Sequence, residues 1–349
     1  MAENPRHILW LRTDSIGDNI LSASMLPHIQ RFFDGAALTV VCQSHIGELY
    51  DNCPHVSHVV TFDKKRAYED EKYRAALFKT VRAVGADLCL NSVYSREPLT
   101  DDLALNSGAV ETVAFDGDFL NGMTPQLRSI NNPRYSRIID SPQERMPEIQ
   151  RHEEFLRGVG METASLSPVM WLSAADEAWA DSFFSQNRIS AERAIALFPG
   201  AQHHHKVYGG YEAVLESFSD YDILILGGRG EREMSARLSS AFNKTGGGGR
   251  RFDLAGAATL RQTAALIRRC RVYAGADSAG AHMACAVGVP NVVLLGGGHF
   301  GRFLPYSPLT SAVCLPLECY GCGWACRYDA HASRYSSLRT LRSSSRRPL

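Results

Sequence analysis

Short apolar runs alternate with stretches of helical period along most of the chain. Ile8-Leu9-Trp10-Leu11 opens the series, a Gly-containing turn follows, and Ile20, Leu21, Met25, Leu26, Ile29, Phe32 and Phe33 then recur at the spacing of one helix face. The same text repeats as strand-like 38–42, helix-like 46–50, strand-like 58–62, a long helical pattern over 67–84 and strand-like 88–90. Strands spaced by helices predict a parallel sheet with helices on both faces.

Over 121–146 the text changes to Asn, Pro, Arg and Ser with few apolar positions, which predicts a surface connection. A second series then runs as helix 176–184, strand 194–198, helix 211–218, strand 223–226, helix 231–242, strand-like 251–254, helix 260–268, strand 272–274, helix 280–287 and strand 292–295. The chain of 349 residues fits two domains of about 100–200 residues each. The expected division is an α/β domain over 1–150, a second over 151–328, and a tail over 329–349. Its last seventeen residues hold six Ser and five Arg without an acid, a composition that cannot build a core, and the tail is expected to be disordered. Gly246–Gly249 reads as a flexible loop, with a phosphate cradle as the weaker alternative because no helix start follows it.

Apolar residues at 45% leave ample material for two cores, and Lys+Arg balances Asp+Glu at 37 each. Without a net field there is no reason to expect nucleic acid as a partner, so any anion must be held locally. No apolar run approaches the roughly 20 residues of a membrane span, and no leader precedes the first strand, so the expected location is cytoplasmic. Nine cysteines, five of them scattered in small-apolar settings, suit reduced thiols and not a disulfide framework.

Three polar segments interrupt the alternation at strand ends, where parallel sheets place their ligands. The first is Arg12-Thr13-Asp14-Ser15-Ile16-Gly17-Asp18, at the opening of a helix. Asp18 falls in the first helical turn, where the helix dipole favours a carboxylate; the competing reading is that Asp14 or Asp18 merely caps the helix. The second is Pro199-Gly200-Ala201-Gln202-His203-His204-His205-Lys206, a Gly turn with a Lys that suits a diphosphate, or else an exposed polar loop. The third is Asp277-Ser278-Ala279-Gly280-Ala281-His282, where Asp277 or Ser278 would cap a helix and leave backbone N–H groups for a ligand. The turn after the first strand has no G-x-G-x-x-G, and neither half has a proper dinucleotide fingerprint, which argues against a dehydrogenase.

Taken in order, these segments resemble glycosyltransferase family 9, the ADP-heptose:lipopolysaccharide heptosyltransferases. Arg12–Asp18 matches that family's opening, Pro199–Lys206 its Pro-Gly-Ala…Lys stretch, and Asp277–Pro290 its most specific motif, over a resemblance spanning roughly 7–328. The resemblance implies the GT-B architecture of two Rossmann-like domains facing a cleft, with the acceptor on the first and the nucleotide-sugar on the second. It implies inversion at the anomeric carbon with no catalytic metal, Asp18 as general base, and Arg12, Ser15 and Gly17 on the acceptor side. Lys206, Glu231, Asp277, Ser278, Gly280 and His282 would face the donor, with ADP-heptose favoured. The acceptor would be a lipopolysaccharide core or other saccharide, a lipid-linked sugar or a protein. The same resemblance leaves room for peripheral contact with the cytoplasmic face of the inner membrane and for a homo-oligomer. This chain departs from the family between Ser278 and His282, where Ala279-Gly280-Ala281 replaces a Gly-Pro-Met sequence, and around His204–Tyr208.

Cys314, Cys319, Cys322 and Cys326 lie close together in a Gly-containing stretch and could surround one structural zinc or iron, or else remain reduced thiols. Parts of the resembled family carry a similar iron-bound cysteine segment. Two rival functions remain at this level. Asp116-Gly117-Asp118 has the form of the D-x-D metal motif of GT-A transferases, or of an ordinary turn. Alternatively, the chain is a nucleotide-sugar-binding protein that keeps the fold without the catalysis.

Overall fold

The structure is a computed structural model that describes residues 5–142, 146–203, 206–242, 248–315 and 320–323. The tail expected at 329–349, Gly246 and Gly247 of the glycine run, His204, His205, Cys319 and Cys326 lie outside the described residues. The chain divides into two compact units, Met1–Ser167 and Pro168–Leu349.

The first unit is built on β1 (His7–Arg12), β2 (Ala37–Gln43), β3 (His58–Phe62), β4 (Leu88–Asn91), β5 (Glu111–Phe115) and β6 (Arg137–Ile139). They form one parallel sheet in the order β3-β2-β1-β4-β5-β6. Between them run α1 (Ile16–Ser22), α2 (Leu26–Phe32), α3 (Lys64–Glu69), α4 (Glu71–Ala83), α5 (Pro98–Leu105) and α6 (Pro125–Asn131), with α7 (Glu148–Val159) after the last strand. Strand β1 is buried from Ile8 onward because helices cover both faces. On one face Leu9 and Leu11 pack with Phe62, Leu77, Val81 and Leu103. On the other, Trp10 meets Tyr50 edge-on and Phe115 meets Phe155 of α7.

The second unit repeats the plan. It starts with α8 (Ala174–Gln186) and continues through β7 (Ala194–Phe198), α9 (Tyr211–Glu216), β8 (Asp222–Ile225), α10 (Arg232–Phe242), β9 (Arg251–Asp253) and α11 (Leu260–Arg269). Strand β10 (Val272–Ala276), α12 (Ala279–Ala286), β11 (Asn291–Leu294) and β12 (Thr310–Val313) complete it. The strand order is β12-β11-β10-β7-β8-β9, again wholly parallel. Among the described residues no helix is long and apolar enough to cross a membrane.

Two expectations need correction. The helical pattern over 67–84 is two helices, because Asp70 leaves the helical conformation (φ −115°, ψ 104°) and its carboxylate accepts from the N–H of Tyr73 to start a second helix. The stretch 121–146 is not merely a connection. It contains α6, capped by Thr124, and β6, whose Ile139 is buried at the sheet edge.

The loop after β4 is anchored by a buried ion pair. Arg96 and Asp101 are both fully buried, joined by Nε at 2.9 Å and Nη2 at 2.5 Å. The Asp101 carboxylate also accepts from Asn131 and from the hydroxyl of Tyr135, each at 2.9 Å, while Arg96 reaches the carbonyl of Phe115 at 2.8 Å. This network ties the β4 loop to β5, α6 and the approach to β6. Removing one partner leaves an uncompensated buried charge, so Asp101→Ala should lower the unfolding free energy by about 3–5 kcal/mol. Urea denaturation compared with the parent chain is the measurement; a loss below about 1 kcal/mol would show that the pair is dispensable.

Candidate functional site

In each unit the strand order reverses once, between β1 and β4 in the first and between β7 and β10 in the second. Loops leaving the carboxyl ends of strands on either side of such a reversal diverge, one to each face of the sheet, and open a crevice between them. All three polar segments singled out in the sequence leave one of these four strands.

At the first reversal, β1 ends at Arg12 and Ser15 takes the N-cap position of α1 with extended geometry. Asp18, at the third helical position, accepts through Oδ2 from the Ser15 N–H at 3.2 Å and from the Ser15 hydroxyl at 2.5 Å. The capping role weighed against catalysis is therefore physically present. It engages one carboxylate oxygen. Gly17 is buried in the first turn, and Ser15 is exposed. Arg12, expected on the acceptor side, is fully buried. Its guanidinium donates to the Ser92 carbonyl at 2.8 Å and to Asp14 Oδ2 at 2.5 Å, so its part is to hold the turn together.

Sequence reading missed the polar cluster beside this turn. Glu97, after β4, accepts through Oε1 from Thr13 at 3.1 Å and Thr100 at 3.2 Å, and through Oε2 from Tyr68 at 3.1 Å. Lys64, the first residue of α3, lies 2.8 Å from the same Oε1. Burial and the Glu97 charge together push the Tyr68 phenol above its ordinary range. The available signal was positional, since Lys64 and Glu97 both follow strand ends, but nothing in their spacing sets them apart from surface charges.

At the second reversal, Lys206 follows β7 and Asp277 follows β10. Their side chains meet at 2.9 Å, both largely buried. Sequence reading assigned both to the donor, and the fold joins them across the adjacent strands β7 and β10. Ser278 stands at the N-cap of α12 with extended backbone, and its side chain makes no capping hydrogen bond to the helix start. Gly280 allows α12 to lie against β7, because a Cβ there would collide with the ring of Phe198 and the hydroxyl of Tyr273. His282 stacks on Tyr306 at 5.7 Å, with Nδ1 and the phenolic oxygen 3.0 Å apart. Glu231, in the turn before α10, packs against Gly200 after β7 and Gly227 and Gly228 after β8; a Cβ on any of the three would meet its side chain.

The D-x-D alternative does not fit the geometry. Asp116 is occupied by Arg128 at 3.0 Å and Asn132 at 2.7 Å, and Asp118 by the Ser95 hydroxyl at 2.8 Å and the Leu120 N–H at 3.0 Å. Gly117 between them is left-handed (φ +75°), as expected of a turn. Of the four clustered cysteines, Cys314 and Cys322 are described, as half-buried free thiols. Among the described residues no group of three or more His, Cys, Asp or Glu side chains is arranged to hold a metal ion.

Comparison with solved structures gives a glycosyl transferase family 9 protein from Veillonella parvula, at 17% identity and TM-score 0.77, covering 96% of this chain and 92% of that one. The Escherichia coli ADP-heptose lps heptosyltransferase II aligns at 19% identity and TM-score 0.70, covering 97% of both chains. The iron-containing dodecameric glycosyltransferase TibC of enterotoxigenic E. coli aligns at 16% identity and TM-score 0.54, covering 97% of this chain and 73% of that one. At these identities the likeness establishes a shared fold, the two-Rossmann, GT-B type. No curated protein sequence matches. The profile of glycosyltransferase family 9 (heptosyltransferase) matches residues 104–328. With more than half of its length, including both donor-side motifs, inside that match, the chain belongs to glycosyltransferase family 9.

Proposed function

We propose that this chain is an inverting transferase moving a heptose or related sugar from an ADP-sugar to the hydroxyl of a saccharide, lipid-linked or protein acceptor in the cytoplasm. The observation that carries the reading is the distribution of charge over the two strand-order reversals: a carboxylate on a helix turn in the first unit, a lysine beside a helix N-terminus in the second. In the reaction the acceptor oxygen attacks the anomeric carbon, its proton passes to Asp18, and the bond to the diphosphate breaks. The capping bonds from Ser15 both go to Oδ2, which leaves Oδ1 for the acceptor hydroxyl. Lys206 and the first N–H groups of α12 stabilise the charge on the departing ADP, with Asp277 orienting the lysine. Glu231 is placed to receive ribose hydroxyls, and His282, held by Tyr306, lines the sugar end.

A second reading, a binding protein without transferase activity, draws on the same capping bonds, since Asp18 has a structural task whether or not it is a base. Incubation with ADP-heptose and a panel of saccharide and peptide acceptors, followed by mass spectrometry, separates the two. Binding of ADP with no product from any acceptor would favour the second.

Asp18→Asn keeps an oxygen able to accept from Ser15, so folding and donor binding should stay near parent levels while turnover falls about 10²-fold or more. Turnover within twofold of the parent at saturating donor would remove Asp18 as the base. Lys206→Ala should weaken ADP binding far more than adenosine binding in titration calorimetry, because the ammonium acts on phosphate. Equal losses for both ligands would assign the lysine to the fold.

The clustered cysteines are read as a structural iron or zinc site, supported by the iron-containing relative and the short spacing. Protein purified without chelator should carry close to one metal equivalent by elemental analysis, and chelation should leave ADP binding intact. Four thiols reacting freely in the native chain would overturn this. A homo-oligomer is proposed on the dodecameric relative, and peripheral membrane contact on the family resemblance alone.

A further inference from the structure

Asp14 is the residue of the β1–α1 turn that the reaction above does not use. Its side chain is mostly buried, and it sits between two groups that each also bind the first turn of α1. Arg12 Nη2 donates to Asp14 Oδ2 at 2.5 Å and lies 3.4 Å from the carbonyl oxygen of Asp18. Asn19 Nδ2 donates to Asp14 Oδ1 at 3.1 Å and to the carbonyl of Ser15 at 2.8 Å. From below, Gln43 at the end of β2 donates to the carbonyls of Thr13 and Asp14, each at 2.9 Å, and Tyr50 donates to Asn19 Oδ1 at 2.7 Å. The Asp14 carboxylate is thus the common acceptor of the two side chains that hold the carbonyls of Ser15 and Asp18.

We propose that Asp14 is a positioning residue for Asp18: its ionised carboxylate draws Arg12 and Asn19 onto the start of α1, and loss of that charge loosens the turn that presents Asp18. Calling the effect positioning for catalysis rests on the reading of Asp18 as the base; the clamp itself does not. Arg12 has no other carboxylate partner among the described residues, so a neutral Asp14 leaves a buried guanidinium tied only to carbonyls and the Ser92 hydroxyl.

The charges facing Asp14 make the clamp responsive to pH. Burial pushes its pKa up to about 7, Arg12 opposes that rise, and Asp18 in the same helix turn and Glu148 of α7 add to it. Cys42 on β2 and Tyr50 also face it, and burial holds both protonated at neutral pH. A raised carboxyl pKa means that the charge is present above about pH 7 and disappears as pH falls through that value. Opening the turn parts Arg12, which lowers the pKa, from a carboxyl that stays buried, so the opened turn holds its proton to higher pH than the closed one. Ionisation then favours the closed clamp, which is closed on the alkaline side and open on the acid side, whereas global unfolding, which also removes the burial, has the opposite sign.

Hydrogen exchange of the full chain, read by mass spectrometry on peptides spanning residues 12–22 and corrected for intrinsic pH dependence, tests this. Protection of the Ser15–Asn19 amides should fall roughly tenfold between pH 8 and pH 6, the scale of one charge-assisted hydrogen bond. In Asp14→Asn the protection should be low at both pH values, and Asp14→Ser should behave alike if the first variant folds poorly. With ADP-heptose as donor, Asp14→Asn should lower kcat while leaving the donor KM within twofold. An unchanged protection across this pH range in the parent, or the same pH response persisting in Asp14→Asn, would overturn the proposal. Failure of Asp18 as base would show instead as an active Asp18→Asn, with the exchange result untouched.

Discussion

A parallel sheet whose first strand lies in its middle has to reverse its strand order once, and in this chain the consequence governs where chemistry can be placed. Crossovers between parallel strands are right-handed as a rule, which puts the helix before such a reversal on one face and the helix after it on the other. The loops leaving β1 and β4 therefore separate, as do those leaving β7 and β10. Arg12–Asp18 and Ser92–Glu97 occupy the first gap, and Pro199–His203, Lys206 and Asp277–His282 the second. Among the described strands no other neighbouring pair lies at such a reversal, so the apolar strands decide the location of the polar groups.

The loops at these gaps carry backbone groups that the sheet cannot satisfy, and the chain meets that demand with charged side chains. Arg96 with Asp101, Arg12 with Asp14, and Lys206 with Asp277 each sit at or beyond a strand end, with little or no exposure. A buried pair of this kind adds little net stability, since desolvation consumes most of the Coulombic gain. What it supplies is geometry, because the planar guanidinium of Arg96 binds two carboxylate oxygens and a carbonyl at once. The pairs differ in completeness. Among the described residues Asp101 gathers Arg96, Asn91, Asn131 and Tyr135, whereas Asp14 has only Arg12 and Asn19 on its carboxylate. The better-satisfied pair supports the fold from below, and the poorer one lies next to the candidate base.

Most strands were legible because both faces of a parallel sheet are covered, so central strands read as unbroken apolar runs, and Ala194–Phe198 coincides with its sequence expectation. Strand β12 escaped notice because Thr310-Ser311-Ala312-Val313 lies at the sheet edge, exposed from Ser311 onward, and needs no apolar text. The break between α3 and α4 turned on one carboxylate, Asp70, choosing a cap over a place in the helix, a choice that apolar periodicity does not record. Candidate residues inside motifs were found at strand ends, as Lys206 and Asp277 illustrate. Lys64 and Glu97 were not, because each is one charge in ordinary surface text and their meeting depends on the adjacency of the loops after β3 and β4. Asp14 was visible as a residue, but its burial, and with it its unusual ionisation, is a property of α7 and β2 packing around it.

That ionisation runs against stability, and the sign is informative. An unfolded Asp14 ionises near its ordinary value of 3.8, whereas in the folded chain it does so at about 7. Between those values the folded state binds the proton that the unfolded state has released, so the contribution of Asp14 to stability is greatest below about pH 4 and is lost as pH rises through 7. A neutral side chain of similar size would avoid this penalty. A carboxylate kept in that place is one whose charge the fold tolerates at a cost, the pattern expected where a local arrangement serves a function more than it serves folding. Arg12 is in the complementary position, a buried cation whose one carboxylate partner among the described residues is the group that titrates. Nothing in the apolar core calls for either charge. Both become intelligible together, as a pair that holds the Asp18 carbonyl through Arg12 and, through Asn19, the carbonyl of Ser15, which is the support for the Asp18 carboxylate that the clamp proposes.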